Sequence, residues 1–235
     1  MYGFYYFDYT YFLFMLPAFI ISIFAQVKVN STFSKYSKVK NFNGLTGAQA
    51  AEKVLSQNGI TGVVIEHVSG NLTDHFDPKT NTIRLSDSVY SDTSVAAVGV
   101  AAHEAGHAVQ YAHGYAPMKF RKILVPVTNI GSKLSIPLIF FGLLLPVKYD
   151  YVVVIGIVLF SLAVLFQLVT LPVEFDASRR AISTLNQSGT LYGDELEGAK
   201  KVLSAAAMTY LAATFSAVMS LLRLILIASN RRGRD

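Results

Sequence analysis

Residues 151–173 read YVVVIGIVLFSLAVLFQLVTLPV, a predominantly apolar stretch without a charged side chain. A helix needs roughly 20 such residues to cross the hydrocarbon core of a bilayer, so this stretch predicts a transmembrane helix. Three other mostly apolar stretches of similar length are residues 10–27, 123–147 and 205–228. The second of them contains Lys133, and the third contains Arg223. The sequence therefore predicts a multi-pass membrane protein with three or four transmembrane helices.

The overall composition agrees with a membrane protein. Hydrophobic residues make up 52% of the 235 residues and charged residues 15%, whereas a soluble domain usually carries about 25% charged residues. This balance excludes an ordinary soluble protein and a disordered chain. The absence of cysteine excludes disulfides, thiolate metal sites and a cysteine nucleophile. The net charge is +5, but the cations lie beside the apolar stretches, which favours a lipid bilayer and not a nucleic acid as partner. No feature of the sequence specifies an oligomeric state.

The flanking charges predict how the chain is oriented. Asp8 and no Lys or Arg precede the first apolar stretch, so we expect a retained anchor and not a cleaved signal peptide. Four lysines follow that stretch without an acid among them: Lys28, Lys35, Lys38 and Lys40. The positive-inside rule therefore places the following segment in the cytoplasm. Three arginines at the C-terminus conflict with this topology if the fourth stretch crosses completely: Arg231, Arg232 and Arg234.

The polar segment after the anchor carries helix and strand signals. Thr46 and Gln49 form a capping box that predicts a helix ending at Gly59. Three short β-like runs follow, at residues 63–68, 71–76 and 82–85. The turn signal at residues 77–81 predicts that the last two runs form a hairpin. A second helix is predicted to begin near Asp92 or Thr93 and to end at Gly114, and Asp194 with Glu197 marks a further helix start.

The second helix contains His103-Glu104-Ala105-Gly106-His107, an H-E-x-x-H motif. Four residues turn an α-helix by about 400°, so His103 and His107 share one face and can bind one Zn²⁺. Glu104 is placed to reach a zinc-activated water without ligating the metal, which is the position of a general base in peptide hydrolysis. Small apolar neighbours indicate a buried helix, where an unpaired glutamate would be costly without a metal.

A catalytic zinc ion needs a third protein ligand and one open position. The candidates are His67, His75, His113 and Glu174. His67 and His75 lie in β-like runs, where an exposed polar side chain is the simpler interpretation, although His75 could also contact substrate. His113 matches the spacing of the metzincin motif, but that motif needs glycine where Gln110 stands, and in a continuing helix His113 would point about 120° away from the ligand face. Glu174 lies at the cytoplasmic end of the third apolar stretch. Its alternative interpretation is an acid in the first turn of a helix after Pro172.

With those residues placed, the chain resembles the YugP-like family of bacterial membrane neutral zinc metallopeptidases. The resemblance covers nearly the whole length and rests on three stretches: residues 72–78 (LTDHFDP), 100–110 (VAAHEAGHAVQ) and 168–180 (LVTLPVEFDASRR). It implies a zinc-dependent hydrolase of gluzincin type that cleaves peptides or proteins, membrane proteins among them. It also implies that His103, His107 and Glu174 are the zinc ligands and that Glu104 is the catalytic base.

The chain departs from the wider gluzincin pattern at one position. That pattern often has Asp four residues after the ligand Glu, where this chain has Ser178. Asp176 lies on a different helical face from that position, which argues against a role in orienting a metal ligand. Ser178 could hydrogen-bond to a metal ligand instead. Asp176 and Arg179 are spaced to form a local ion pair, and their functional roles stay open.

The predicted fold is an α+β membrane protein with a small zincin-like catalytic domain, made of a helix, a β-hairpin or sheet and the H-E-x-x-H helix. The predicted parts are an N-terminal anchor (1–27), a cytoplasmic catalytic domain (28–122), a transmembrane hairpin (123–173), a cytoplasmic helical segment with the third zinc ligand (174–204) and a C-terminal transmembrane or membrane-associated helix with a basic tail (205–235).

Two other functions compete with a zinc metalloendopeptidase. An intramembrane protease of the site-two type also carries H-E-x-x-H, but it takes an Asp from a Leu-Asp-Gly motif that this sequence lacks. A non-enzymatic membrane scaffold would use a structural zinc site, and such sites are usually closed by four protein ligands. The sequence specifies neither the substrate nor the cleavage specificity.

Overall fold

The computed structural model describes residues 9–232, so Asp8 and Arg234, which entered the orientation argument, lie outside the described residues. The helices are α1 (Tyr9–Tyr36), α2 (Gly47–Gln57), α3 (Val95–Ala112), α4 (Ala116–Leu144), α5 (Tyr151–Gln187) and α6 (Gly193–Arg232). The strands are β1 (Val64–Val68), β2 (His75–Asp77) and β3 (Thr82–Ser86), and a short 3₁₀ turn spans Val147–Tyr149.

The predicted α+β multi-pass membrane architecture is confirmed. Four helices, α1, α4, α5 and α6, are long and apolar enough to cross a membrane. Three strands form one small sheet in the order β1-β3-β2. β2 pairs antiparallel with β3, as the hairpin prediction requires, and β1 pairs parallel with β3.

Two compact units make up the described chain. One contains residues 9–24, 121–169 and 210–232, and the other contains residues 25–120 and 170–209. In the first unit, small residues let α4 and α5 approach closely, as is usual for membrane helices. A Cβ atom on Gly156 would lie 3.0 Å from the Ile139 amide nitrogen and from the Ser135 carbonyl oxygen. The Ser22 and Ser216 hydroxyls join α1 to α6 at 3.2 Å.

Arg231, near the end of α6, is held at the loop between α4 and α5. Its guanidinium donates to the Gly142 carbonyl at 2.8 Å and to the Leu145 carbonyl, and its Nε lies 3.4 Å from an Asp150 carboxylate oxygen. A cation at the C-terminal end of a helix is favoured by the helix dipole. Arg231 is therefore neutralised locally, which reduces the conflict between a fully crossing α6 and the positive-inside rule.

The second unit is built around α3. Almost all of this helix is buried, and α2, the sheet and parts of α5 and α6 supply the rest of the core. The capping box of α2 is present as predicted, with both hydrogen bonds between Thr46 and Gln49. The helix α3 begins later than predicted, because Ser94 is its N-cap and Asp92 instead accepts a hydrogen bond from the Ser94 amide.

Two other elements differ from the sequence prediction. The strand predicted over residues 71–76 is shortened to β2, because Leu72 adopts a left-handed conformation with φ of 55°. The helix α5 continues through Pro172 to Gln187, although proline removes one helical hydrogen bond. Glu174 is therefore a mid-helix residue and not an acid in the first turn of a new helix.

The Arg231 contacts predict that the α4–α5 loop and the end of α6 share one side of the bilayer. The sequence contains no cysteine, so single cysteines introduced at Lys148 and at Ser229 can be labelled selectively. We expect a membrane-impermeant thiol reagent to label both from the same side. Labelling of one in intact cells and of the other only after lysis would contradict this topology.

Candidate metal centre

The helix α3 presents two histidines on one face. The His103 and His107 rings lie edge to face with centroids 4.6 Å apart. The neighbouring alanines are buried in the core, which fixes the rotation of the helix: Ala101, Ala102, Ala105 and Ala108. His107 is 7% exposed, and the His103 side chain is 14% exposed. The pair therefore has little contact with water and a defined orientation.

Gly106 allows α5 to approach this face of α3. A Cβ atom at position 106 would lie 2.6 Å from the Ala177 carbonyl oxygen, well inside van der Waals contact. Any other residue would push the two backbones apart. The close approach sets the distance from which α5 side chains reach the two histidines.

Glu174 reaches both imidazoles from α5. Its Oε2 atom lies 3.3 Å from His103 Nε2 and 3.4 Å from His107 Nε2. Two ligands about 2.0–2.1 Å from a tetrahedral zinc ion lie about 3.3–3.4 Å apart, so both distances match the edge of such a site. One ligand atom from each of the three residues lies within 4.8 Å of the others. The cluster could hold a metal ion, and two imidazole nitrogens with one carboxylate oxygen are donors that suit zinc.

The Nδ1 atom of each imidazole also has a hydrogen-bond partner. Ser178 Oγ lies 3.1 Å from His103 Nδ1, and Gln110 Oε1 lies 3.1 Å from His107 Nδ1. A partner that accepts from Nδ1–H leaves the Nε2 lone pair facing the cluster. The hydrogen bond considered for Ser178 from the sequence is thus present.

Gln110 connects His107 to an ionic network centred on the buried Asp176. It is fully buried, and its amide donates to the Val173 carbonyl at 2.8 Å and to Asp176 Oδ2 at 2.9 Å. Arg180 Nε donates to the same Asp176 oxygen at 2.6 Å, and Arg179 pairs with the other oxygen. Because Asp176 fixes the Gln110 amide group, Oε1 is the atom that faces His107.

In the sequence, Gln110 stands out only as the residue that opposes a metzincin turn. The available signal was its position three residues after His107, on the same helical face. Asp176 forms the predicted local ion pair with Arg179 and also acts on His107 through Gln110.

Glu104 lies beside the cluster but does not belong to it. The residue is 8% exposed. Burial raises the pKa of its carboxyl to about 7, the positive charge of His103 opposes this, and the Glu174 carboxylate adds to it. The backbone amide of Phe76, in the edge strand β2, donates a hydrogen bond to the carboxyl. The strand β2 therefore lies close to the Glu104 carboxyl.

The other predicted ligand candidates lie elsewhere. His113 is the exposed C-cap residue of α3 and is not in the cluster. His67 pairs with Asp87 at 2.7 Å, and His75 lies 2.9 Å from the Thr73 carbonyl. Within residues 9–232, His103, His107 and Glu174 form the one group of three or more such side chains able to share a metal ion.

The chain is similar to known proteins over most of its length. The family described as "Putative neutral zinc metallopeptidase" matches residues 11–229. This chain belongs to that family. It is 46% identical over 215 residues to the "Putative membrane protease YugP" of Bacillus subtilis strain 168, an alignment that covers 92% of this chain and 94% of that protein. No solved structure matches the chain significantly. The resemblance inferred from the sequence is thus confirmed, because the chain is a member of this zinc peptidase family.

The hydrogen bond from His107 to Gln110 predicts a measurable effect on metal affinity. Gln110→Leu removes the partner of Nδ1, and outer partners of this kind typically contribute 10- to 100-fold to metal affinity. We expect a loss of about that size in zinc affinity, measured by competition with a chromophoric chelator. The absorption spectrum of the Co²⁺-loaded protein should also change.

Gln187→Leu is the matched control, because Gln187 is exposed at the end of α5 and its side chain bonds, among the described residues, to Ser183 alone. Its zinc affinity should equal that of the unmodified protein. Unchanged affinity and an unchanged cobalt spectrum in Gln110→Leu would show that Gln110 does not position His107.

Proposed function

We propose that this member of the neutral zinc metallopeptidase family is a membrane-embedded zinc metalloendopeptidase that hydrolyses peptide bonds. In this proposal His103, His107 and Glu174 hold zinc, and Glu104 is the general base. The observation that carries it is the position of Glu174 Oε2, 3.3 and 3.4 Å from the two histidine nitrogens, with Glu104 close by and outside the ligand set.

Zinc bound there would supply a Lewis acid that polarises a peptide carbonyl and acidifies water. Glu104 would accept a proton at its carboxylate and return it to the leaving nitrogen of the peptide. The Phe76 amide lies close enough to favour the charged form of this carboxylate. Ser178 and Gln110 keep the His103 and His107 rings oriented. The buried wall of α3 excludes bulk water from one side of the site.

Two observations favour this activity over the competing functions. A structural zinc site is normally closed by four protein ligands, whereas this cluster has three, which leaves a position for substrate. The helix α3 is not among the four described candidates for membrane crossing. A site-two-type protease would need its H-E-x-x-H motif at bilayer depth.

The edge of the sheet offers a place for substrate. β3 is the central strand and pairs on both sides, so the run at residues 82–85 cannot accept a further strand. β2 lies at an edge, next to Glu104, and an extended peptide could add there by main-chain hydrogen bonding. We propose peptide or protein substrates, membrane proteins among them.

We also propose that the second unit, with the metal cluster, faces the bacterial cytoplasm. The support is the run of lysines after the first apolar stretch, which the positive-inside rule assigns to the cytoplasmic side.

The proposed base is tested by Glu104→Gln, which keeps the size of the side chain and all three metal ligands. We expect peptidase activity to fall by at least about a hundredfold, the lower range for general acid–base catalysis, with zinc content unchanged. The measurement is cleavage of an unstructured protein substrate by the purified protein, together with metal analysis. Glu52→Gln, on the exposed face of α2, should cleave normally. Normal cleavage by Glu104→Gln would reject the mechanism.

The third ligand is tested by comparing Glu174→Ala with His113→Ala. Removal of Glu174 eliminates one of three donors and leaves two buried imidazoles without their carboxylate, so we expect both zinc retention and activity to be lost. His113 is exposed at the end of α3, so His113→Ala should bind zinc at normal stoichiometry. The opposite pattern in metal analysis of the purified variants would assign the ligand to His113.

A further inference from the structure

The middle of the membrane-crossing helix α4 exposes three polar side chains close together. Asn129, Ser132 and Lys133 are all exposed. At about 100° per residue, Ser132 and Lys133 lie on either side of Asn129, within an arc of about 100°. We call these three residues the α4 polar face.

A buried stripe of α4 packs on α5. Gly131, Ser135, Ile139 and Gly142 are buried, and Gly142 approaches Val153 so closely that a Cβ atom would lie 2.8 Å from its side chain. At about 100° per residue, the middle of this buried stripe lies about 160° from Lys133 and about 120° from Asn129, so these two side chains are turned away from α5. Ser132 lies at the edge of the stripe, about 20° from Ile139.

Lys133 lies deep within the predicted span. It precedes Leu144, the last residue of α4, by 11 positions, which is about 16 Å along the helix axis. The hydrocarbon core is about 30 Å thick, so Lys133 lies near its middle. Ionisable residues at that depth normally face a bundle interior or a water-filled cavity and pair with another polar group. Within the described residues, neither Lys133 nor the Asn129 side chain has a hydrogen-bond or ion-pair partner.

A carboxylate at the same depth is the partner that complements the charge of Lys133. The apolar stretches of this chain contain no Asp or Glu: residues 10–27, 123–147, 151–173 and 205–228. A second copy therefore offers no carboxylate within the bilayer to pair with Lys133. Charge complementarity points instead to a different membrane protein.

We propose that the α4 polar face docks a transmembrane helix of another protein, one that carries an Asp or Glu near its midpoint. The carboxylate pairs with Lys133, and the Asn129 and Ser132 side chains offer further hydrogen bonds to polar groups on that helix. This face would select membrane proteins by the presence of an acidic residue within the bilayer, independently of the peptidase chemistry.

The test uses the full chain reconstituted in phosphatidylcholine vesicles with a fluorescently labelled synthetic peptide. The peptide is a transmembrane helix of leucine and alanine with a single Glu at its centre, and energy transfer reports its association. Replacing that Glu by Leu, or making Lys133→Leu, should weaken association by about three- to thirtyfold, the range for single polar contacts between membrane helices. Lys133→Glu with a peptide carrying a central Lys should restore it.

Lys148→Leu is the matched control, because Lys148 lies in the 3₁₀ turn between α4 and α5 and should leave association unchanged. Lys133→Leu removes a charge from an exposed face, so the fold should be retained, and an unchanged zinc content checks this. Binding measured with Glu104→Gln keeps the result separate from peptidase activity. Equal association with Lys133 present or replaced would overturn the proposal, as would a homodimer that Lys133→Leu disrupts without any peptide.

Discussion

The close contact between α3 and α5 at Gly106 is the constraint on which the site depends. The Ala177 carbonyl occupies the space that a side chain at position 106 would need. This contact brings Glu174 to the two histidines, and it brings Ser178 to His103 from the same helix. Because α5 supplies both a candidate ligand and a partner of a ligand, a small displacement of α5 would disturb several contacts at once.

Burial also makes the negative charges at this site energetically costly. Glu174 is 2% exposed and Glu104 is 8% exposed, and two carboxylates so close together are unfavourable without compensating positive charge. The two histidines compensate in part, and a bound divalent cation would do so more fully. Outside the cluster, Asp176 is neutralised by Arg179 and Arg180. The negative charge of Asp176 is thus neutralised by neighbouring arginines. The negative charge of Glu104 and Glu174 is the part that still calls for a bound cation.

Sequence reasoning succeeded where the signal was local. The capping box at Thr46, the turn at residues 77–81 and the H-E-x-x-H spacing each depend on residues a few positions apart. It identified Glu174 by residue type and by resemblance, but not the helix that carries it, because proline usually ends helices and Pro172 does not end α5. The contact of Gln110 with Asp176 joins residues 66 positions apart. Only the packing of α3 on α5 defines it, so no spacing rule could have revealed it.

The central claim is that His103, His107 and Glu174 together bind zinc. X-ray absorption at the zinc edge of the purified, zinc-loaded protein tests it most directly. We predict nitrogen and oxygen neighbours at about 2.0–2.1 Å, no sulfur neighbour, and outer-shell scattering from two imidazole rings. Glu174→Gln should alter the oxygen contribution and leave both rings in place. Scattering from three imidazole rings, or from fewer than two, would contradict the assignment.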